Sequence, residues 1–262
     1  MTAPYYQDDL LTLYLGDCRE VLPALGVTAD CIVADPPYES TSLEWDRWPD
    51  GWLETAAKVS NSMWCFLPLR QFAEPPYRGI EFRAAGWRMS HDAVWEKHNG
   101  SGFAADRLKC VHETMTHWYR GRWGAVYHEA PRVFVGVDPH SRKVRLPRKP
   151  QTDAHHGALS GVHTWADDGM RIVRSVIRAR SMHGLRPISR TQKPELLLSP
   201  LIEYACPPGG LVVDLFAGSC STLFTARASG RRAIGVERSE PQAEKAASWL
   251  ERATLDFTGG AA

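Results

Sequence analysis

Residues 211–228 read LVVDLFAGSCSTLFTARA. The first six form a compact apolar run, the kind that fills a strand buried on both faces of a parallel sheet. A loop of small residues follows, and residues 222–228 have helical spacing. Strand, glycine loop and helix in immediate succession are one unit of a doubly wound α/β fold. Gly218 lets the backbone approach a ligand closely at the carboxyl end of the sheet, where such folds bind ligands. The loop lacks the GxGxxG of dinucleotide sites and the GxxxxGK of triphosphate sites. Taken alone, it reads equally well as a tight βα turn.

Downstream, residues 232–237 form the next strand, which ends at Glu237, an acid suited to ribose hydroxyls. In the last helix Ala243, Ala246, Ala247 and Leu250 share one face. Upstream, Pro207-Pro208-Gly209-Gly210 is a turn, and residues 196–204 form a helix with Pro194 near its start. The N-terminal part repeats the alternation. Strands are expected at 12–15, 30–34, 63–67, 91–97 and 112–119, with helices at 19–25 and 52–59. Residues 120–187 lose this rhythm, and PRVFV at 131–135 is the only convincing strand there. The expectation is a doubly wound, Rossmann-like α/β sheet. Residues 1–119 and 188–262 are its two halves, and 120–187 an inserted lobe.

The chain has 262 residues, 44% of them hydrophobic and 23% charged, with a net charge of +1. Ten Trp, eight Tyr and eight Phe supply too much apolar surface for a disordered chain. No run approaches the roughly 18 apolar residues of a membrane span, and no secretory signal opens the chain. The six cysteines contain no CxxC pair, which argues against a zinc knuckle or a redox dithiol. Cysteines within ADCIVAD and MWCFL read as buried thiols and fit a reducing cytoplasm. His155-His156 has no third partner at metal-ligand spacing, so no metal is expected. The near-zero charge hides two acid-free basic runs. One is SRKVRLPRKPQ at 141–151; the other, at 171–190, holds six arginines.

Strand 30–34 stops at Asp35-Pro36-Pro37-Tyr38, where two prolines forbid further strand or helix. They hold a carboxylate, a carbonyl and an aromatic face together past a strand end. Such a site grips a planar group bearing an exocyclic amine. The Asp35 carboxylate and the Pro36 carbonyl accept the amine hydrogens, and the Tyr38 ring stacks on the base.

With DLFAGSCST at 214–222, this tetrapeptide resembles the S-adenosylmethionine-dependent DNA amino-methyltransferases. LYLGDCREVLPALGVTADCIVADPPY resembles the family's opening, and ESTSLEWDRW the stretch that follows in adenine-N6 enzymes. AVWEK, HETMTHWYRG and TQKPELLLSPLI resemble further family motifs. The order, catalytic part first and cofactor part last, is that of the circularly permuted β class. The resemblance implies that Asp35, Pro36, Pro37 and Tyr38 hold the target base. It implies that Asp214, Phe216, Gly218 and Ser219 shape the cofactor loop and that Glu237 takes the ribose. Asp17 would lie near the cofactor adenine, and Thr191 and Lys193 at the methionine moiety. The sequence departs from the family pattern at Leu215, Cys220 and Ser221, where proline, glycine and threonine are usual. A Cβ at Cys220 is expected to crowd the cofactor or shift its loop.

The implied activity is methylation of adenine N6 in double-stranded DNA after base flipping, as in restriction-modification systems. Asp at the head of the tetrapeptide favours adenine, since N4-cytosine members more often carry Ser; N4-cytosine methylation is the alternative. A third reading is a catalytically silent DNA-binding protein. Protein glutamine methyltransferases carry the two motifs in the reverse order. A C5-cytosine enzyme needs a cysteine nucleophile, and Cys206-Pro207 reads as a loop thiol. Arg142, Lys143, Arg145, Arg148, Lys149, Arg174, Arg178 and Arg180 are the expected phosphate contacts. Trp45 and Trp48 are candidates to cover a flipped base. The sequence leaves homodimerisation open.

Overall fold

A computed structural model describes residues 3–39, 41–101, 105–136, 152–153, 157–158, 168–182, 188 and 192–258. The first unit, Met1–Ala130 with Arg174–Ala262, is built on a nine-stranded sheet. Its N-terminal elements are β1 (Tyr6–Gln7), β2 (Leu11–Leu15), α1 (Cys18–Leu25), β3 (Cys31–Ala34), α2 (Trp52–Val59) and β4 (Ser62–Phe66). Helices α3 (Arg70–Ala73) and α4 (Arg78–Ala84) precede a long hairpin of β5 (Arg88–Ser101) and β6 (Cys110–Tyr119), which a 3-10 turn at Trp123–Ala125 follows.

The second unit, Pro131–Val173, lies inside the 120–187 span expected for the insert. It pairs β7 (Arg132–Phe134) with β10 (Met170–Ile172), and β8 (Thr152–Asp153) with β9 (Gly157–Ala158). Arg132 is ion-paired to Asp168 at 3.2 Å within it. The chain then returns to the first unit with β11 (Val176–Arg178), α5 (Glu195–Ala205), β12 (Leu211–Asp214), α6 (Ser221–Ala228), β13 (Arg232–Glu237) and α7 (Glu240–Thr258).

The sheet order is β1-β2-β13-β12-β3-β4-β6-β5-β11. Strands β2, β13, β12, β3 and β4 are mutually parallel, and β6 runs against both of its neighbours. Continuous apolar character explains the centre: all four residues of β3 and all five of β4 are buried. One face packs α1, α2 and α4 through Val21, Leu22, Trp52, Ala56 and Phe82. The other carries α5 and α6, where Leu197, Leu201 and Leu223 are buried. At Gly235 an added Cβ would lie 2.9 Å from Ala217 Cβ and Leu223 Cδ1, so glycine is required for close packing. Ala243, Ala246 and Leu250 of α7 are fully buried, as the spacing of that helix predicts, while Ala247, expected on the same face, is half-buried.

From β3 the chain crosses through α2 to β4 on one side, and from β12 through α6 to β13 on the other. The direction of winding therefore reverses between β3 and β12, which pair at Val212↔Cys31 and Val213↔Ile32. Such a switch point leaves a crevice beyond the carboxyl ends of the two strands.

Candidate active site

Asp35-Pro36-Pro37-Tyr38 leaves β3 into that crevice. Asp35 Oδ1 accepts the Tyr38 hydroxyl proton, and Oδ2 accepts from Lys193 Nζ at 2.5 Å. Gln71 Nε2 donates to the Tyr38 carbonyl at 2.7 Å. Glu39 takes φ +56°, a strained value for a residue other than glycine. Asp46, 2% exposed, over-determines this turn by accepting from Glu39 N, Thr41 N and Thr41 Oγ1 at 2.7–2.9 Å. Arg78 clamps it from the other side, 2.6 Å from both Glu39 and Glu81. The two tryptophans now separate. Trp48 is core: it packs edge-on against Trp52 and donates to Glu81 at 2.8 Å. Trp45 is 56% exposed and lines the cavity.

Across the crevice, β12 ends at Asp214 and the loop turns through two left-handed residues, Gly218 (φ +50°) and Cys220 (φ +57°). Cys220 thus holds, with a buried thiol, a backbone conformation that favours glycine. Asp214 Oδ1 accepts from Phe216 N at 3.0 Å. Burial pushes the Asp214 carboxyl up to about 7, against the hydrogen bonds from Thr222 and Phe216, which favour its charged form. Glu237 fixes the loop through Gly218 N at 2.8 Å and the chain beyond through Ser239 N at 2.7 Å. Asp17 caps α1 by accepting from Arg19 N at 2.9 Å.

Both loops open into one cavity of about 590 Å³. Asp17, Asp35, Pro36, Pro37, Tyr38 and Lys193 line it, together with Asp214, Phe216, Gly218, Ser219 and Glu237. The sequence also singled out Thr191, which lies outside the described residues, as do Arg142, Lys143, Arg145, Arg148, Lys149 and His155-His156. Arg174, Arg178 and Arg180 are exposed along β11 and its flanks, and the last two alternate with the buried Ile177 and Ala179. Arg178 pairs with Glu96 at 2.8 Å.

Cys206 is buried at the end of α5, where burial pushes its thiol up to about 12, an inert state. Cys18, Cys31, Cys65 and Cys220 are also buried. Cys31 and Cys65, in the two apolar runs read as holding buried thiols, are thus buried, whereas Cys110 is exposed because it opens β6 beyond the core. Among the described residues no group of His, Cys, Asp and Glu could hold a metal ion, and no helix is long and apolar enough to cross a membrane.

The sequence reading missed two polar residues behind the site. Glu113 of β6 is 3.7 Å from Lys193 Nζ and is also ion-paired to Lys97 of β5. Register brings them together: Glu113 pairs with Trp95, which makes Lys97 its diagonal neighbour on the same face. The cavity lining also includes Trp45, Arg47 and Gln242; Gln242 Nε2 donates to the Gly218 carbonyl at 3.1 Å.

Two loops from adjacent strands at a winding switch point, one headed by Asp-Pro-Pro-Tyr, define a class. The DNA methylase family model of the N6/N4 type matches residues 29–248, and the chain belongs to this family. Among curated proteins it is similar to the type II methyltransferase M.HinfI of Haemophilus influenzae, 24% identical over 89% of this chain and 66% of that protein. The chain thus spans just under two thirds of that relative's length. The type II methyltransferase M.ScaI of Streptomyces caespitosus is 22% identical over 95% of this chain and 84% of its own length. Among solved structures, the M1.HpyAVI–SAM complex superposes with a TM-score of 0.61 at 18% identity, over 92% of this chain and all of that one. The cytosine-N4-specific PvuII DNA methyltransferase gives 0.61 at 15% identity, over 93% and 87%.

Proposed function

We propose that this protein transfers a methyl group from S-adenosylmethionine to the exocyclic N6 of adenine in duplex DNA. One observation carries the reading: Asp35-Pro36-Pro37-Tyr38 and the 214–219 loop leave adjacent strands into a single cavity. The cavity chemistry fits the cofactor. Phe216, Leu198 and Val236 offer apolar surface to a purine. Each Glu237 oxygen already accepts one backbone N–H and keeps a lone pair for a ribose hydroxyl. Asp17 faces the adenine end, and Lys193, with Thr191, takes the methionine end. When bound, the cofactor supplies an electrophilic methyl group.

The target amine lies inside a stacked duplex, so the nucleotide must rotate out, at a cost of a few kcal/mol. Tyr38 stacks on the extruded base, and Trp45 covers it at the mouth. Asp35 and the Pro36 carbonyl accept the two amine hydrogens. Each Asp35 oxygen already holds one donor, Tyr38 or Lys193, and has a second lone pair for the amine. Two fixed acceptors favour a pyramidal nitrogen, whose lone pair would otherwise delocalise into the ring. They also stabilise the charge that develops as the methyl arrives, which is preorganisation combined with alignment. Arg142, Lys143, Arg145, Arg148, Lys149, Arg174, Arg178 and Arg180 bind phosphates.

A second reading, N4 of cytosine, is favoured by the likeness to the PvuII enzyme over 93% of the chain. Labelled S-adenosylmethionine and unmethylated genomic DNA decide between them once the product is digested to nucleosides. N6-methyladenine is expected, and Asp35→Ala should lower its formation at least about 10²-fold with folding retained. N4-methylcytosine would overturn the choice of base. An active Asp35→Ala would overturn the catalytic assignment.

A further inference from the structure

Lys193 is a buried cation that lines the cavity, and its partners form a chain. Asp35 Oδ2 is 2.5 Å from Lys193 Nζ, Lys193 Nζ is 3.7 Å from Glu113 Oε2, and Glu113 Oε1 pairs with Lys97. The four charges alternate in sign from the cavity to the outer hairpin. The Lys193 side chain is 10% exposed, that of Lys97 16%, and those of Asp35 and Glu113 28% and 33%. The Phe66 ring closes one side of the Lys193 ammonium at 4.9 Å, and the Trp95 ring flanks Lys97 at 5.0 Å.

We propose that Glu113 and Lys97 are positioning residues of the methyl transfer, holding Lys193 so that the Asp35 carboxylate is aimed at the target amine. The inference rests on the reading of Asp35 as the amine acceptor. Lys193 already donates to Asp35 Oδ2 and leaves that oxygen a second lone pair for the amine. Held by this one carboxylate alone, the ammonium could swing about it and turn the Asp35 carboxylate away from the amine. A second carboxylate on the far side shares the charge and fixes the ammonium between the two. Glu113 itself is one of two anions in a half-buried setting, and Lys97 keeps it charged. Burial would lower the Lys193 pKa, but the charges of Asp35 and Glu113, with Asp214 more distant, hold it above its usual value. Burial would raise Glu113, but Lys193 and Lys97 hold it below its usual value. Among the described residues, the Tyr38 hydroxyl on Asp35 is the other polar partner in the group.

Glu113→Gln keeps the shape and removes the charge. In the full chain, kcat should fall about 10-fold or more while KM for DNA and cofactor stays within about twofold, the pattern of lost alignment rather than lost binding. The alkaline limb of kcat should move down by at least about one pH unit, because one of two nearby opposite charges is gone. Glu113→Asp should restore part of both, and Lys97→Met should reproduce a weaker form of the loss. A titration of Lys193 by 13Cε NMR, assigned with Lys193→Arg, reads the charge chain without reference to turnover. Its midpoint should lie above 10.5 in the wild type and drop in Glu113→Gln. Unchanged kcat and pH profile in Glu113→Gln, or an unmoved Lys193 titration, overturns the proposal. A wild type that methylates no DNA overturns the functional reading instead, and the NMR titration still judges the charge chain.

Discussion

Cys220 shows what one side chain costs. At φ +57° a residue other than glycine carries strain of roughly 1–3 kcal/mol, and the thiol is fully buried. Cys220 N still makes its turn bond to the Ala217 carbonyl, at 2.6 Å, so the loop closes in spite of the Cβ. The Cβ is accommodated here with the backbone in the left-handed region. A β-branched residue has no comfortable rotamer there. Cys220→Val should lower the unfolding free energy by about 2 kcal/mol and weaken S-adenosylmethionine binding, whereas Cys220→Gly should retain both. Urea denaturation and calorimetric titration check the pair. An unaffected valine variant would mean that the left-handed turn is absent in solution.

At the scale of elements, legibility followed local signal. Strands β3 and β12 were readable because each is a short apolar run stopped by a turn residue. Helices α3 and α4 were missed: α3 has four residues and buries none, and Ile80 of α4 is 65% exposed, so neither shows an apolar stripe. Strand β11 hid in a run read only for its charge, although the alternation of Arg178 and Arg180 with Ile177 and Ala179 is the period of an edge strand. Both halves of the candidate site were legible because each is contiguous. Glu113 and Lys97 were not, since only the β5–β6 register joins them.

The same hairpin holds His117, fully buried between Ser62 Oγ at 3.0 Å from Nε2 and Ser90 Oγ at 2.7 Å from Nδ1. Burial first, then His91 and His128, pushes His117 down to about 3 from 6.5. The unfolded chain takes this proton near 6.5 and the folded chain near 3, so the stabilisation is complete above 6.5 and is lost as pH falls. One proton corresponds to about 2 kcal/mol between pH 6.5 and 5. His117→Gln should flatten that fall; His91 titrates in both proteins and cancels in the difference. Equal pH slopes in urea unfolding would refute a neutral buried His117.

For the whole molecule, a net charge of +1 predicts little affinity for DNA, and its distribution predicts much. If about five phosphates are neutralised, log affinity should fall against log salt with a slope near −4.5. A slope near zero in a fluorescence anisotropy series would remove the basic runs from the interface. The sheet order carries a consequence of another kind. Strands β2 and β3 are neighbours in sequence, yet β13 and β12 lie between them. During synthesis, until residues 211–237 have left the ribosome, the facing sides of β2 and β3 carry unpaired N–H and C=O groups. A stalled or truncated nascent chain therefore displays two open strand edges where the finished protein has its core, and chaperones and proteases meet it in that form. Translation closes the gap only when β12 and β13 emerge, delivering the half of the cavity that the first-made half lacks.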